Sequence, residues 1–378
     1  MINIYYEEIE DYYLLNNEDE ILNLVFKNIN LKKYNKILVK PNVLGPYPPD
    51  RCATTHPKFL EWIIKYLLNK GVDRNKIIVG DSSGYSTKKS FEVSKIEEVC
   101  RKYNINCKPF EKDEIVKVKI LDTEEIILPK TVLESDLIIN LPKLKTHILM
   151  KYTGAIKNLY GCIPGGLKPK LHGQYPKEYN FAELLVELYN IIGKNREMIT
   201  IMDGIYGMEG NGPSNGNPIN SKIVIASKDA LAVDIFASYY IKYNPMDIIT
   251  NKILINNGNY KKRDIWQENY KIIKLEKNVK KEVSFKEIDR IKFKKPDTYY
   301  LTSIMPPSIV KLIFSVMVQK PKINRKKCKK CKVCQYICPV EAISIDNLKI
   351  DLKKCINCYC CHEMCEFGAI DLKRRFFI

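Results

Sequence analysis

Eight of the chain's 13 cysteines fall in two runs of identical spacing near its C-terminal end. The first run is Cys328, Cys331, Cys334 and Cys338, followed by Pro339. The second is Cys355, Cys358, Cys361 and Cys365. Both read C-x2-C-x2-C-x3-C. In such a run three closely spaced thiolates wrap three corners of an iron–sulfur cubane, and the fourth thiolate reaches the other cluster. The spacing predicts two [4Fe–4S] clusters. Cys328, Cys331, Cys334 and Cys365 would hold one; Cys355, Cys358, Cys361 and Cys338 would hold the other. Cys360 has no place in the spacing and reads as spare, a substitute ligand only where Cys361 is lost.

Zinc and disulfides are the competing explanations. Zinc sites pair two short C-x2-4-C knuckles rather than placing four cysteines in one run. A disulfide framework needs an oxidising compartment. The first residues, Met1 to Glu8, carry no basic stretch before an apolar one, so they do not read as an export signal. Reduced thiolates on iron in a cytoplasmic protein are expected.

The 378 residues leave a large domain beside a small C-terminal module. The boundaries read as 1–300 for the large domain, 301–320 for an apolar then basic linker, and 321–378 for the module. The formal net charge of +18 invites a nucleic-acid reading. Two oxidised clusters with their thiolates would remove about four of those charges. The lysines are scattered and no nucleic-acid motif is present, so an acidic redox partner or a small anionic ligand is the expected use of the charge. Leu301–Val318 is apolar but interrupted by Pro306, Pro307 and Lys311, too short for a membrane span. A clamp for the module or a shallow membrane contact fits it.

In the large domain, short apolar runs end in polar residues. Ile37–Val39 leads into Lys40-Pro41-Asn42, and Thr54-Thr55-His56-Pro57 then opens a helical stripe with a cap and a first-turn proline. Ile77–Val79 runs into Gly80-Asp81. Residues 114–128 read as a hairpin and Phe91–Cys100 as one helix. Asp136–Leu141 is a strand that exits into a loop bearing Lys143, Lys145 and His147, with Lys157 and Asn158 soon after. Ile199–Met202 ends in Asp203-Gly204. A glycine-rich loop from Gly207 to Pro213 follows, too irregular for a dinucleotide fingerprint. Lys222–Ser227 is a further strand. This alternation predicts a doubly wound, mostly parallel α/β sheet. Such sheets bind ligands beyond the carboxyl ends of their strands. The expected cofactor- or substrate-binding residues are therefore Lys40, Asn42, Thr55, Asp81, Lys143, Lys145, Asn158 and Asp203. His147, Lys157 and His56 are the catalytic candidates. Asp203 with Glu209 is a possible cation site. Asp234 either reaches the site or faces solvent.

Across roughly residues 35–245 these motifs taken together resemble the family called domain of unknown function 362. The resemblance rests on Lys40-Pro41-Asn42, Thr54 to Pro57, Gly80-Asp81-Ser82, Asn140 to His147, Gly154 to Gly161, and Met202-Asp203-Gly204. The C-terminal module resembles a bacterial-type two-cluster ferredoxin, a small α+β fold. The family resemblance implies an iron–sulfur protein and supplies no catalytic residue. A likeness to the lactate racemase family, in sheet-edge lysines and histidines, is one of fold alone.

The leading expectation is an iron–sulfur protein that passes electrons to a small anionic substrate or cofactor in the large domain. A non-enzymatic electron carrier or docking module is one alternative. A nonredox enzyme with structural clusters is the other.

Overall fold

The structure, a computed structural model, describes residues 1–16, 20–84, 86–121, 124–257, 267–276, 279–297 and 319–373. The Leu301–Val318 segment lies outside them.

The large domain is a doubly wound α/β unit. Its strands are β1 (Ile2–Glu8), β2 (Ile37–Pro41), β3 (Ile77–Asp81), β4 (Asn106–Pro109), β5 (Ile115–Ile120), β6 (Glu124–Pro129), β7 (Leu137–Leu141), β8 (Lys143–His147), β9 (Lys151–Thr153), β10 (Glu197–Glu209), β11 (Asn217–Ser227), β12 (Tyr270–Glu276) and β13 (Val279–Val283). All but the β5–β6 hairpin join one 11-stranded sheet, ordered β13-β12-β1-β11-β10-β7-β2-β3-β4, with β8 on β10 and β9 on β8. The run from β10 to β4 is parallel throughout. It begins at β2, moves outward through β3 and β4, then returns to β7 on the other side of β2. The gap between β2 and β7 is thus the point where strand order reverses, and there the connecting loops part to leave a crevice.

The central strands read as unbroken apolar runs because both of their faces are covered. Leu38 and Ile138 pack under the helices Glu178–Gly193 and Ala230–Tyr240. Ile37, Val39, Leu137 and Ile139 pack on the opposite face, under Pro57–Asn69 and Ile96–Lys102. His56 caps the Pro57–Asn69 helix, its ring nitrogen accepting from Lys58 N, and Pro57 occupies the first turn.

Several expected elements take a different form. The stretch after β7 resumes as strand β8, because Lys143 falls into parallel register with Asp203 of β10. β10 continues through Gly207 to Glu209, so that part of the glycine-rich stretch is sheet. The single helix expected over Phe91–Cys100 is two, Thr87–Val93 and Ile96–Lys102, broken where Lys95 turns left-handed at φ 62°. β1 and β12 pair in parallel at the far side of the sheet, a long-range pairing that local pattern did not reveal.

The module repeats one small motif twice. Strands β14 (Lys320–Ile323) and β17 (Ile370–Lys373) bring its ends together, and β15 (Ile343–Ser344) pairs with β16 (Lys349–Ile350). Among the described residues no helix is long and apolar enough to cross a membrane.

A buried ion pair ties β2 to β3. Lys40 Nζ lies 2.9 Å from Asp81 Oδ1, both side chains being nearly inaccessible. Asp81 also accepts from Val43 N and Ser82 N. Removing one member of such a pair leaves a buried charge and costs about 3–5 kcal/mol. Asp81→Ala should lower the unfolding free energy measured in urea by that amount. The double variant Lys40→Met/Asp81→Leu should recover part of the loss.

Candidate functional site at the module interface

Four lysines gather near the carboxyl ends of β2 and β7, Lys40 on β2, Lys143 and Lys145 on β8, and Lys157 on the short helix Ala155–Asn158, and they divide into two kinds. Lys40 and Lys143 are neutralised within the sheet. Lys143 Nζ reaches Asp203 at 3.0 Å and Tyr12 OH at 2.7 Å. Asp203 also accepts from Tyr12 OH and His56 N. The His56 ring stacks on Tyr12 at 3.8 Å. Both Asp203 carboxylate oxygens are thus engaged within the cluster. Glu209, its expected companion, accepts from Lys294 N instead.

Lys145 and Lys157 lack carboxylate partners at hydrogen-bond distance. Lys145 Nζ donates to Asn42 Oδ1 and Ala53 O, each at 2.7 Å. The Lys157 ammonium makes no hydrogen bond among the described residues; it stands 5.7 Å from the Tyr160 ring and 5.9 Å from that of Phe181. Burial pulls the pKa of Lys145 well down, and the Lys157 and Lys143 charges push the same way. Burial also lowers Lys157, opposed by Glu363 and Cys360.

These two lysines line a cavity of about 90 Å3 in the crevice beyond β2 and β7. Its large-domain walls include Asn42, Asp81, Ser82, Asn158, Lys168 and His172. The remaining wall comes from the module: Ile337, Cys360, Glu363 and Met364. Asn158 Oδ1 is buried with no hydrogen-bond partner. Its amide nitrogen is fixed on Asn140 Oδ1 at 2.8 Å. Burial lowers Lys168 to about 8. Its ammonium donates to Ser82 O. Gly161 must be glycine here, since a Cβ would lie 2.1 Å from Asp81 Oδ1 and 2.5 Å from Lys40 Nζ.

The module is pinned to this edge through backbone carbonyls. Tyr47 OH and Ser214 Oγ donate to Glu363 O at 3.0 and 2.7 Å, and Asn215 Nδ2 donates to His362 O at 2.7 Å. The Glu363 side chain then projects into the lysine crevice, where burial pushes its pKa up to about 7 against the pull of Lys157 and Lys145. His147 lies beneath it. Its Nδ1 accepts from Leu149 N and Met150 N, which places the neutral ring's proton on Nε2. That nitrogen stands 3.4 Å from Glu363 Oε1.

The structure therefore gathers Asn42, Asp81, Lys145, Lys157 and Asn158, with Lys40 behind Asp81 and His147 below Glu363. His56, Lys143 and Asp203 form the separate, self-satisfied cluster. Thr55 Oγ1 bridges Leu141 O and Asn42 N and braces the loop. Asp234 neither reaches the cavity nor faces solvent. It accepts from Ala155 N, Ile156 N and Tyr152 OH, holding the start of the helix that carries Lys157. Sequence reasoning missed Lys168, Ser82 and Glu363. Lys168 follows two glycines in a basic stretch and could have been noticed. Nothing local marks Glu363, which arrives only by docking.

The cysteine runs carry a matching backbone signature. Lys330 and Lys332 are left-handed in the first run, as are Asn357 and Tyr359 at the same places in the second. Glu341 and Gly368, each three residues past the last cysteine, are left-handed as well. Ala342 N donates to Cys338 Sγ and Ala369 N to Cys365 Sγ, both at 3.2 Å. Burial raises the Cys334 thiol to about 11, and Cys365, Cys331 and Cys328 add to the rise. Cys338, Cys355, Cys358, Cys360 and Cys361 line one common cavity. Among the described residues no three His, Cys, Asp or Glu side chains close on a single-ion position.

A large α/β domain joined to an iron–sulfur module is the class these features define. A 4Fe–4S binding domain model matches residues 321–344. The model named Domain of unknown function (DUF362) matches residues 37–239, and the chain belongs to that family. It is 30% identical over 234 residues to the thylakoid-associated protein sll1697 of Synechocystis, a match covering 58% of this chain and 67% of that protein. Two solved structures show weaker likeness. The lactate racemase apoprotein from Thermoanaerobacterium thermosaccharolyticum gives a TM-score of 0.38 at 11% identity, covering 60% of this chain and 54% of its own. A Thermotoga maritima protein gives 0.38 at 14%, covering 57% and 56%. The chain thus spans little more than half the length of either.

The two lysine classes should separate by experiment. Lys143→Met orphans Asp203 and should cost about 3–5 kcal/mol in urea unfolding. Lys145→Met removes a desolvated charge with no carboxylate partner at hydrogen-bond distance and should cost far less.

Proposed function

We propose that this chain is an iron–sulfur redox protein that exchanges electrons with a small anion held between its module and its large domain. The observation that carries the reading is a shared wall. Cys360 lines both the cavity ringed by Cys338, Cys355, Cys358 and Cys361 and the lysine-lined cavity of the large domain. Two [4Fe–4S] clusters belong to this reading. Cys328, Cys331, Cys334 and Cys365 would hold one, and Cys355, Cys358, Cys361 and Cys338 the other. The repeated left-handed positions and the paired N–H···S contacts support the second site as much as the first. Bound clusters supply one-electron chemistry.

The chain's own residues do the rest. Lys145, Lys157 and Lys168 provide positive charge suited to a phosphate or carboxylate. Asn158 Oδ1 offers an acceptor for a donor group on the same ligand. Ile337 and Met364 add apolar wall to the cavity, and lower local polarity strengthens each charge contact. His147, proton on Nε2, holds a donor toward Glu363 at the cavity wall.

Anaerobic analysis should find about eight irons and eight sulfides per chain. Cys334→Ser and Cys358→Ser should each lose about half. Dithionite-reduced protein should be reoxidised by one member of a panel of phosphate- and carboxylate-bearing metabolites, and Lys157→Met should abolish that reoxidation. Clusters that never change redox state would sink the reading. Reducible clusters with no small-molecule reoxidation would leave only the carrier alternative.

The anion site also has a pH signature. Lys168 is charged below about 8 and neutral above it, because burial disfavours its ammonium. Sulfate keeps its charge over this range. Its affinity by calorimetry should fall as pH rises through about 7, where Glu363 ionises, and fall again through about 8; Lys168→Met should remove the second fall and leave the first.

A further inference from the structure

The two cysteine sets face different ways. Cys331 is exposed, whereas its counterpart Cys358 is buried. Arg325, Lys326, Lys327, Lys329, Lys330 and Lys332 flank Cys331 in sequence, and all are exposed. No acidic residue occurs from Lys320 to Pro339. Among the described residues the ion pair made by this rim is Lys332 with Asp346 at 3.5 Å, both side chains largely in solvent. Screening makes such a pair weak, so the rim keeps most of its charge.

The backbone adds a second indication. Lys330 and Lys332 occupy left-handed positions, at φ 53° and 61°. Glycine and asparagine suit that conformation best, and the second run places Asn357 where the first has Lys330. A lysine there sets more positive charge beside the exposed cysteine, at a position where local backbone preference favours another residue.

We propose that this rim docks an acidic one-electron carrier protein over Cys331. The proposal rests on the electron-transfer reading above and assigns it a port. One electron would pass between the carrier and the cluster that Cys328, Cys331, Cys334 and Cys365 would hold; one is oxidised as the other is reduced, and no bond or proton changes hands. A protein partner fits better than a lipid surface because the charge flanks an exposed cysteine of the cluster-binding run, where close approach shortens the electron path. Complementary charge of this kind raises association rate and makes it depend on salt.

The test uses the full-length, cluster-loaded protein, with a purified acidic flavodoxin as probe and a basic cytochrome as like-charged control. Association is followed anaerobically by stopped flow and by calorimetry. The variant Lys326→Glu/Lys327→Glu/Lys329→Glu/Lys330→Glu should associate about tenfold more slowly or worse at low salt. A variant with Lys119→Glu, Lys242→Glu and Lys252→Glu, placed on the large domain, should stay within about twofold of wild type. Wild-type association should fall steeply as ionic strength rises toward about 0.5 M. That titration decides the matter should the rim variant fail to load iron. Salt-independent association, equal loss in both variants, or rim-dependent binding to phosphatidylserine vesicles without flavodoxin binding would overturn the proposal. Loss of docking with metabolite reoxidation intact overturns only the port, while clusters inert to dithionite overturn the underlying reading.

Discussion

Burial of positive charge at the strand-order reversal is the constraint on which the rest of the structure depends. Four lysines end up near the carboxyl ends of β2 and β7, largely withdrawn from solvent. An ammonium there must be paired, discharged or offered to a ligand. Lys40 and Lys143 are paired, with Asp81 and Asp203, and those pairs tie β2 to β3 and β8 to β10. Lys145 and Lys157 are left without carboxylates at hydrogen-bond distance. Their charge is offset in part by Glu363, a residue of the other domain. Docking the module is therefore an electrostatic event as well as a packing one.

The module's internal repeat shows what docking changed. Cys360 and Glu363 stand where the first half has Val333 and Tyr336. Tyr336 is 78% exposed, while Glu363 is buried. The two halves share their cysteine spacing, their left-handed turns and their N–H···S contacts. They part at the residues that touch the large domain. A thiol and a carboxyl were placed on one half only, the half that faces the lysines.

Much of this was legible in the chain. Apolar runs ending in Lys40, Asp81, Asn140 and Asp203 announced a doubly wound sheet and its working edge, since strands covered on both faces need no polar alternation. The cysteine spacing announced the module. What stayed hidden was set at long range. β1 pairs with β12 across most of the chain. β8 became a strand because of its register with β10 rather than from its own composition. His56, Lys143 and Asp203 looked like site residues from their places after apolar runs, yet Tyr12 reaches over to bond Lys143 and Asp203 and to stack on the His56 ring. Glu363 could be placed only once the module was seated. The lysine pattern thus located the edge but did not distinguish bracing from binding.

That distinction narrows what the cavity accepts. Its volume of about 90 Å3 holds several water-sized groups and little more. Bracing lysines are fixed by carboxylates and cannot move toward a ligand without orphaning a buried charge. Lys145, Lys157 and Lys168 hold only carbonyl or amide oxygens, or none, and can exchange them at small cost. An anion of the proposed kind would meet three lysines and the partnerless oxygen of Asn158 on one side. On the other it meets Glu363, whose carboxyl repels it when ionised and can donate to it when protonated. A ligand that brings both an anionic group and a hydrogen-bond donor satisfies this set, and a bare halide does not. The module wall then sits against that ligand through Cys360, next in sequence to Cys361, which makes the cavity's contents and the cysteine cage neighbours across a single side chain.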